Sequence, residues 1–525
     1  MAESISDHKV YTSRWVSLVG GMLAMLGGGV IYSFGVYSPV YKDKFHYSQT
    51  EVDWLSFSMT AGNYLPFAGM FYDRTSARAS LLLGGFLMFV GYVNVWAILN
   101  GEYTANYGLA LLATFIGGHG SGYADAAVIT TCVKNFPNHR GSVVAIQKSG
   151  YGLASSVLTG FYRAFIYPHK TGYVLFVAIF CGLMPVVASL FINQVPLELS
   201  DSYEAEAPKR KNRKLDPDKE FIPQQLDRFM FYVVAIGLFQ LAVSISRAVD
   251  HQTPKWLDYL VVAVLVLAIF GFFLLARGVG AWKLLGSPDD LGACSLESLQ
   301  SEQEPLLTDS PHQDFTPMQT LQSLDFWLIF MAFTASAGSG LMVVNNLADI
   351  VQAQHGSQSI IDIFVSLFSI ANCFGRLFFG LYSDYCVNRI DRPVFFTVIL
   401  VLYTITNFLL AFSGLPMLYL LLPFVGFLYG GVWSVAPSVI SEVFGLKHMG
   451  SNYGLVVPGA TIGGLLFSTL LTADVYKSHT NGNGECRGNA CFQLSFLVIG
   501  GCCAFVSVLS IILQRRVRHK YAKVA

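Results

Sequence analysis

The sequence predicts an all-α polytopic membrane protein: two six-helix bundles with two extra helices between them. Three observations predict it. Fourteen apolar stretches have membrane-spanning length, basic residues gather in alternate loops, and matching motifs recur in the first and last parts of the chain. A bilayer's hydrocarbon core is about 30 Å thick, so about 20 helical residues at 1.5 Å each cross it. Such stretches begin near Trp15, Asp53, Ser80, Asn106, Ser142, Tyr173, Phe229, Leu257, Phe326, Ile360, Pro393, Met417, Tyr453 and Leu494. The 525 residues are 53% hydrophobic and 13% charged, with a mean hydropathy of +0.51. Soluble domains carry about a quarter charged residues.

The polar opening, MAESISDHKVYTSR, leads into an apolar run too long and wrongly flanked for a cleaved signal peptide. Lys and Arg mark cytosolic loops. They follow the second stretch (Arg74, Arg78), the fourth (Lys134, Arg140), the sixth (Lys209 to Lys214) and the last (RRVRHKYAK). The opposite loops are short or nearly neutral apart from Lys42 and Lys44. Both termini are therefore expected in the cytosol, as an even number of crossings requires. The chain divides into a first bundle over 1–195, linkers with two extra helices over 196–323, and a second bundle over 324–525.

The two bundles read as a duplication. Gly69 and Asp73 close the second stretch as Gly380 and Asp384 close the tenth. Phe115, Gly117, Gly122, His139, Gly141 and Ser142 find Phe424, Gly426, Gly431, His448, Gly450 and Ser451 at one constant offset. Repeated units of this kind pack about an axis along the membrane normal, with the substrate site at midplane between them.

The GxxxDRxxxR pattern from Gly69 to Arg78 resembles the signature loop of the major facilitator superfamily, with Ser76 where that family usually has Gly. More specifically the chain resembles the nodulin-like branch, related to monocarboxylate and oxalate/formate transporters. The residues carrying this likeness are NFPNHRGSVVAIQKSGYGL (Asn135 to Leu153), DFWLIFMAFTASAGSGLMVVNNLADI (Asp325 to Ile350), GGVWSVAPSVISEVFGLKHMGSNYG (Gly430 to Gly454) and ECRGNACF (Glu485 to Phe492). The resemblance implies the major-facilitator fold and transport by alternating access. In the signature loops, Asp73 and Asp384 are expected to pair with basic groups such as Arg74 or to cap a neighbouring helix, and to break away when the cytosolic gate opens.

Charges inside the bilayer cost about 2.5–3.5 kcal/mol on insertion scales, so they face a cavity or a partner. Arg376 lies eight residues before Asp384, about 12 Å inside the helix end. Its guanidinium can grip a carboxylate with a bidentate fork, which Lys cannot. In the resembling carboxylate transporters, an Arg at this point of GRxxxGxxSD looks like the substrate-anion ligand, and Gly375 to Asp384 fits that pattern. Lys148 is the second candidate. Asp125 lies at similar depth on the adjacent antiparallel helix, so an internal salt bridge is the competing reading. Asp125, His119 and Asp349 are candidate proton carriers. Asn346 and Trp433 are candidate cavity residues, against the default of interhelical packing shared with Asn63 and Asn345.

Cys486 and Cys491 stand in a polar loop outside the cytosol, where a disulfide persists. Their spacing alone lacks the ligands for zinc, and no metal or cofactor is expected. The linker from Ser287 to Phe315 is acidic and contains Glu302, Leu306 and Leu307 in the register of an acidic dileucine sorting signal. That pattern favours a vacuolar or lysosomal membrane and a clathrin-adaptor partner, with the plasma membrane as alternative.

Zero formal net charge gives no hint of nucleic-acid binding. Catalytic and Walker motifs are absent, which argues against an enzyme or ATP-driven pump. The expectation is a monomeric secondary transporter of a small organic anion such as a monocarboxylate, with protons as a candidate coupling ion. The alternatives are a transporter of a neutral or cationic nutrient, with Arg376 and Lys148 committed to internal pairs, and a non-transporting receptor.

Overall fold

The computed structural model describes residues 13–103, 106–195, 222–249, 254–277, 314–387, 389–480 and 486–521. The basic run at Lys209 to Lys214, the sorting pattern at Glu302, Leu306 and Leu307, and most of the acidic linker lie outside them.

The first bundle comprises α1 (Arg14–Gly28), α2 (Phe34–Phe45), α3 (Gln49–Asn63), α4 (Phe67–Arg74), α5 (Ala77–Asn100), α6 (Tyr107–Asn135), α7 (Arg140–Phe161) and α8 (Lys170–Ala188). The middle pair is α9 (Ile222–Val249) and α10 (Lys255–Arg277). The second bundle begins with α11 (Pro317–Gln322), α12 (Leu324–Asn345) and α13 (Leu347–Ala353), then α14 (Gln358–Cys386), α15 (Pro393–Leu410) and α16 (Leu415–Phe444). It closes with α17 (Met449–Val456), α18 (Pro458–Gly464), α19 (Ala473–Ser478) and α20 (Gln493–Tyr521).

Eleven helical rods among the described residues are long and apolar enough to cross a membrane, not fourteen. The other three expected crossings fall on α3–α4, α6 and α7, which fail that criterion by length or polarity. The reason is local. α3 and α4 are separate helices flanking Tyr64 to Pro66, while α6 and α7 carry Gly, Ser, Asp125 and Lys148 into the protein interior.

Side-chain caps start several rods by satisfying amides that a helix leaves open. Ser48 and Glu51 form a capping box on α3, and Asn106 caps α6. Ser76 accepts from the amide of Ala79 at 3.2 Å and starts α5, which accounts for Ser at a place usually held by Gly. A 3₁₀ turn, Gly29–Ser33, separates α1 from α2. A Cβ at Gly29 would collide with the Tyr151 carbonyl, so only glycine lets this turn lie against α7.

α1, α3, α5, α6 and α8 pack among themselves, as do α12, α14, α15, α16 and α20. The two bundles meet along two seams, α7 against α14 and α4 against α17. α9 touches both α7 and α14, so it lies along the first seam. The α9–α10 pair is fastened to the first bundle by the stacked rings of Trp15 and Phe229, 6.0 Å apart, and by an apolar cluster of Leu26, Val157, Val243, Val261 and Leu265. Asp258 adds ion pairs to Arg247 (2.5 Å) and Arg163 (3.6 Å).

Candidate functional site

At the end carrying the signature loops the bundles are latched together twice. Asp384 accepts from the main-chain amides of Gly141 (2.9 Å) and Ser142 (2.6 Å), at the first turn of α7. Asp73 does the same for Gly450 (3.2 Å) and Ser451 (2.6 Å), at the first turn of α17. A carboxylate here satisfies open amides and meets the positive end of the helix dipole, an effect of about 0.3–2 kcal/mol. Both bonds cross from one bundle to the other.

Glycine makes that approach possible. A Cβ on Gly69 would run into the Gly450 carbonyl, and one on Gly380 into Ala145 and the Gly141 carbonyl. The latches differ in support. Arg392 holds Asp384 at 2.5 Å and Glu442 at 2.6 Å, whereas Asp73 has Lys134 at 3.9 Å. Arg74 is exposed at the end of α4. Arg392 and Glu442 were not singled out by the sequence, although a basic residue eight positions after Asp384 is a visible signal.

On the side away from these latches a cavity of about 490 Å³ lies between the bundles. Tyr32, Tyr64, Asn346, Asp349, Asn372 and Tyr429 are among its lining residues. The amide of Asn346 donates to Ser468 at 3.0 Å. Asp349 follows the apolar span of α12, and burial raises its carboxyl above the usual range while the Lys42 ammonium opposes the rise.

Beneath the cavity lies a buried polar cluster. The Lys148 ammonium donates to Asp125 at 2.6 Å and to the Tyr453 hydroxyl at 3.0 Å, and that hydroxyl donates to the other Asp125 oxygen at 2.9 Å. The same ammonium stands 4.7 Å from the Trp433 ring centre, and Tyr64 stacks on Trp433 at 5.2 Å. Cation–π contact stabilises a desolvated ammonium without adding a negative charge.

Arg376 is 1% exposed. It donates to the main-chain carbonyl of Lys148, and its other terminal nitrogen lies 3.4 Å from the Tyr32 hydroxyl. Its Nε has no hydrogen-bond partner, and no carboxylate pairs with it among the described residues. Gly152, which lines the cavity, packs against the guanidinium.

The structure thus brings Arg376, Lys148, Asp125 and Trp433 together under the cavity and puts Asn346 and Asp349 on its wall. It does not bring His119 there. That imidazole is 3.0 Å from the Gly62 carbonyl and packs on Tyr123, outside the cavity lining. Arg376, Lys148 and Trp433, expected to bind substrate, are not among the cavity's lining residues and lie below its floor. Tyr32 and Tyr453 were missed. Cys486 and Cys491 are joined by a disulfide at the far end. The loop it closes is tied to α13: the amide of Gly488 donates to the Ala353 carbonyl at 2.8 Å, and Arg487 to the Gln352 carbonyl at 2.7 Å.

Comparison with known proteins agrees with this architecture. The family described as Nodulin-like matches residues 14–273, and the NFD4 C-terminal domain matches residues 316–523. An uncharacterized membrane protein of Saccharomyces cerevisiae is 23% identical, over 93% of this chain and 92% of its own length. The probable transporter mch1 of Emericella nidulans is 24% identical, over 91% of this chain and 82% of its own. Among solved structures, the proton:xylose symporter XylE bound to 6-bromo-6-deoxy-D-glucose superposes with a TM-score of 0.56 at 13% identity, covering 94% of each chain.

The fold is that of the major-facilitator transporters, and the chain is a multi-pass membrane protein. Within that superfamily the chain belongs to the nodulin-like branch.

Proposed function

We propose that the protein carries a small organic anion, such as a monocarboxylate, across the membrane by alternating access, with Arg376 as the anion's ligand. One observation carries this reading: two buried cations, Arg376 and Lys148, lie below the cavity with one buried carboxylate, Asp125, and that carboxylate is held by Lys148. An unbalanced buried cation is costly, and one substrate carboxylate would balance it. Lys148 adds attraction from beneath, Asn346, whose amide nitrogen is committed to Met342 and Ser468, offers its amide oxygen to a substrate donor at the cavity wall, and Trp433 shapes the floor.

Asp73 and Asp384 close the cytosolic gate in this conformation, and the cavity faces the opposite compartment. Rocking the bundles 1–195 and 324–525 past each other would release both latches, with 196–323 as the connection. Asp349 and Asp125 are the proton carriers we favour, the first because it lines the cavity and the second because Lys148 and Tyr453 can take over each other's bonds when it is protonated. The disulfide at the far end suits an oxidising lumen. Together with the dileucine pattern at Glu302, Leu306 and Leu307, it supports a vacuolar or lysosomal membrane reached through a clathrin adaptor; the basic loops support cytosolic termini, and we take the protein as a monomer.

The closed Lys148–Asp125–Tyr453 network favours a second reading, in which the substrate is neutral and the buried charges serve only structure. Uptake of labelled small carboxylates into proteoliposomes, with and without a pH gradient, separates the two. Saturable carboxylate uptake is expected. Uptake of neutral sugars or polyols alone, in folded protein, would overturn the anion reading.

A further inference from the structure

Asn372 stands four residues before Arg376 on α14, on the same face and about 6 Å nearer the cavity. Side chains on a helix lean toward its N-terminus, so Arg376 reaches up toward the level of Asn372. Asn372 lines the cavity, is 7% exposed, and its amide oxygen has no donor among the described residues. Its backbone is fixed, because a Cβ on Gly430 of α16 would collide with the Asn372 carbonyl. Buried acceptors are nearly always paired, so an open one at a cavity wall marks a place for a ligand's donor. The neighbouring Arg376 Nε is likewise open.

We propose that the substrate carries a hydroxyl or ammonium group on the carbon next to its carboxylate, and that Asn372 selects for it. This rests on the anion reading above. The carboxylate sits on Arg376, and the substituent on the adjacent carbon points up to the Asn372 amide oxygen. A site built to hydrogen-bond a substrate group discriminates against the analogue lacking it, because its own polar atom is then left unpaired. An unsubstituted carboxylate would occupy Arg376 and leave Asn372 open.

The test is the ratio of initial uptake rates for labelled 2-hydroxypropanoate and propanoate in proteoliposomes, at equal subsaturating concentration. The wild-type ratio is expected at about ten, the effect of one such bond, and Asn372→Leu should bring it to about one. A wild-type ratio near one with propanoate transported would overturn the inference and leave the anion reading standing. Uptake of neither compound would remove both. A ratio of ten kept by Asn372→Leu would place the selectivity elsewhere. Should that variant fail to reach the membrane, the wild-type ratio and competition of propanoate uptake by 2-hydroxypropanoate and 2-aminopropanoate still decide.

Discussion

Arg376 donates to the main-chain carbonyl of Lys148, so the two buried cations beneath the cavity are joined through backbone and not through a carboxylate. The bond also joins the bundles, since Arg376 belongs to α14 and Lys148 to α7. A neutral carbonyl is a weaker partner for a guanidinium than an anion. A substrate carboxylate therefore competes well for Arg376, and in taking it removes one tie between the bundles. Binding free energy is thereby converted into a bias toward rocking, as differential affinity for two states requires.

Tyr32 lines the cavity and holds the second terminal nitrogen of Arg376 across a long contact of 3.4 Å. A substrate must displace that hydroxyl. Tyr32→Phe keeps the ring, whose edge packs on Tyr151 at 5.7 Å, and removes the competitor. KM for carboxylate uptake is expected to fall about two- to fivefold, a fraction of one charge-assisted bond. A rise in KM would show that the hydroxyl contacts the substrate instead.

The Gly69 latch predicts a conformational shift. Gly69→Ala places a methyl against the Gly450 carbonyl and should pry Asp73 from the α17 amides. The population with the latches closed falls. Ser468→Cys lines the cavity, so its labelling by a membrane-impermeant maleimide from the cavity side should slow at least twofold in the Gly69→Ala background. Unchanged labelling would mean that the latch does not set the equilibrium.

Asp349 predicts a pH dependence of stability. Burial raises its carboxyl, so the folded protein holds that proton more tightly than the unfolded chain does. The resulting stabilisation is full below the ordinary carboxyl value of about 4 and is lost as pH rises through the raised one. Thermal melts in detergent should therefore show wild type losing Tm relative to Asp349→Asn as pH rises from 4 to 7. Parallel profiles would argue that Asp349 is solvated and ordinary.

The disulfide closes a short loop whose residues hold α13, the helix bearing Asp349. Loop-closure entropy for so small a ring is about 2 kcal/mol. Replacing Cys486 and Cys491 by Ser should lower Tm by a few degrees, and reduction of the wild type should do the same. Equal melts before and after reduction would make the bridge dispensable.

Much of the site was legible because charge and glycine inside apolar helices stand out. The latches could be read from Asp73 and Asp384 beside Gly69 and Gly380. The Lys148–Asp125 pair followed from equal depth on adjacent antiparallel helices. Tyr32, Tyr453 and Asn372 were not legible as site residues. The chain has 26 tyrosines, and which of them meets a buried charge depends on how α1, α7, α14 and α17 converge, which periodicity does not encode. Asn372 had a faint signal, the one-turn spacing from Arg376. The crossings that fell short on apolarity, α6 and α7, are rich in Gly and Ser and also carry the buried pair, so the weakest membrane signal coincides with the polar interior.

The central claim is that Arg376 is the anion's ligand, and counterflow of labelled 2-hydroxypropanoate in proteoliposomes tests it most directly. Arg376→Ala should abolish exchange while retaining the wild-type elution profile, and Arg376→Lys should recover less than a tenth of the rate, since an ammonium lacks the bidentate fork. Wild-type exchange in a folded Arg376→Ala protein would contradict the account and make the buried cation a structural one.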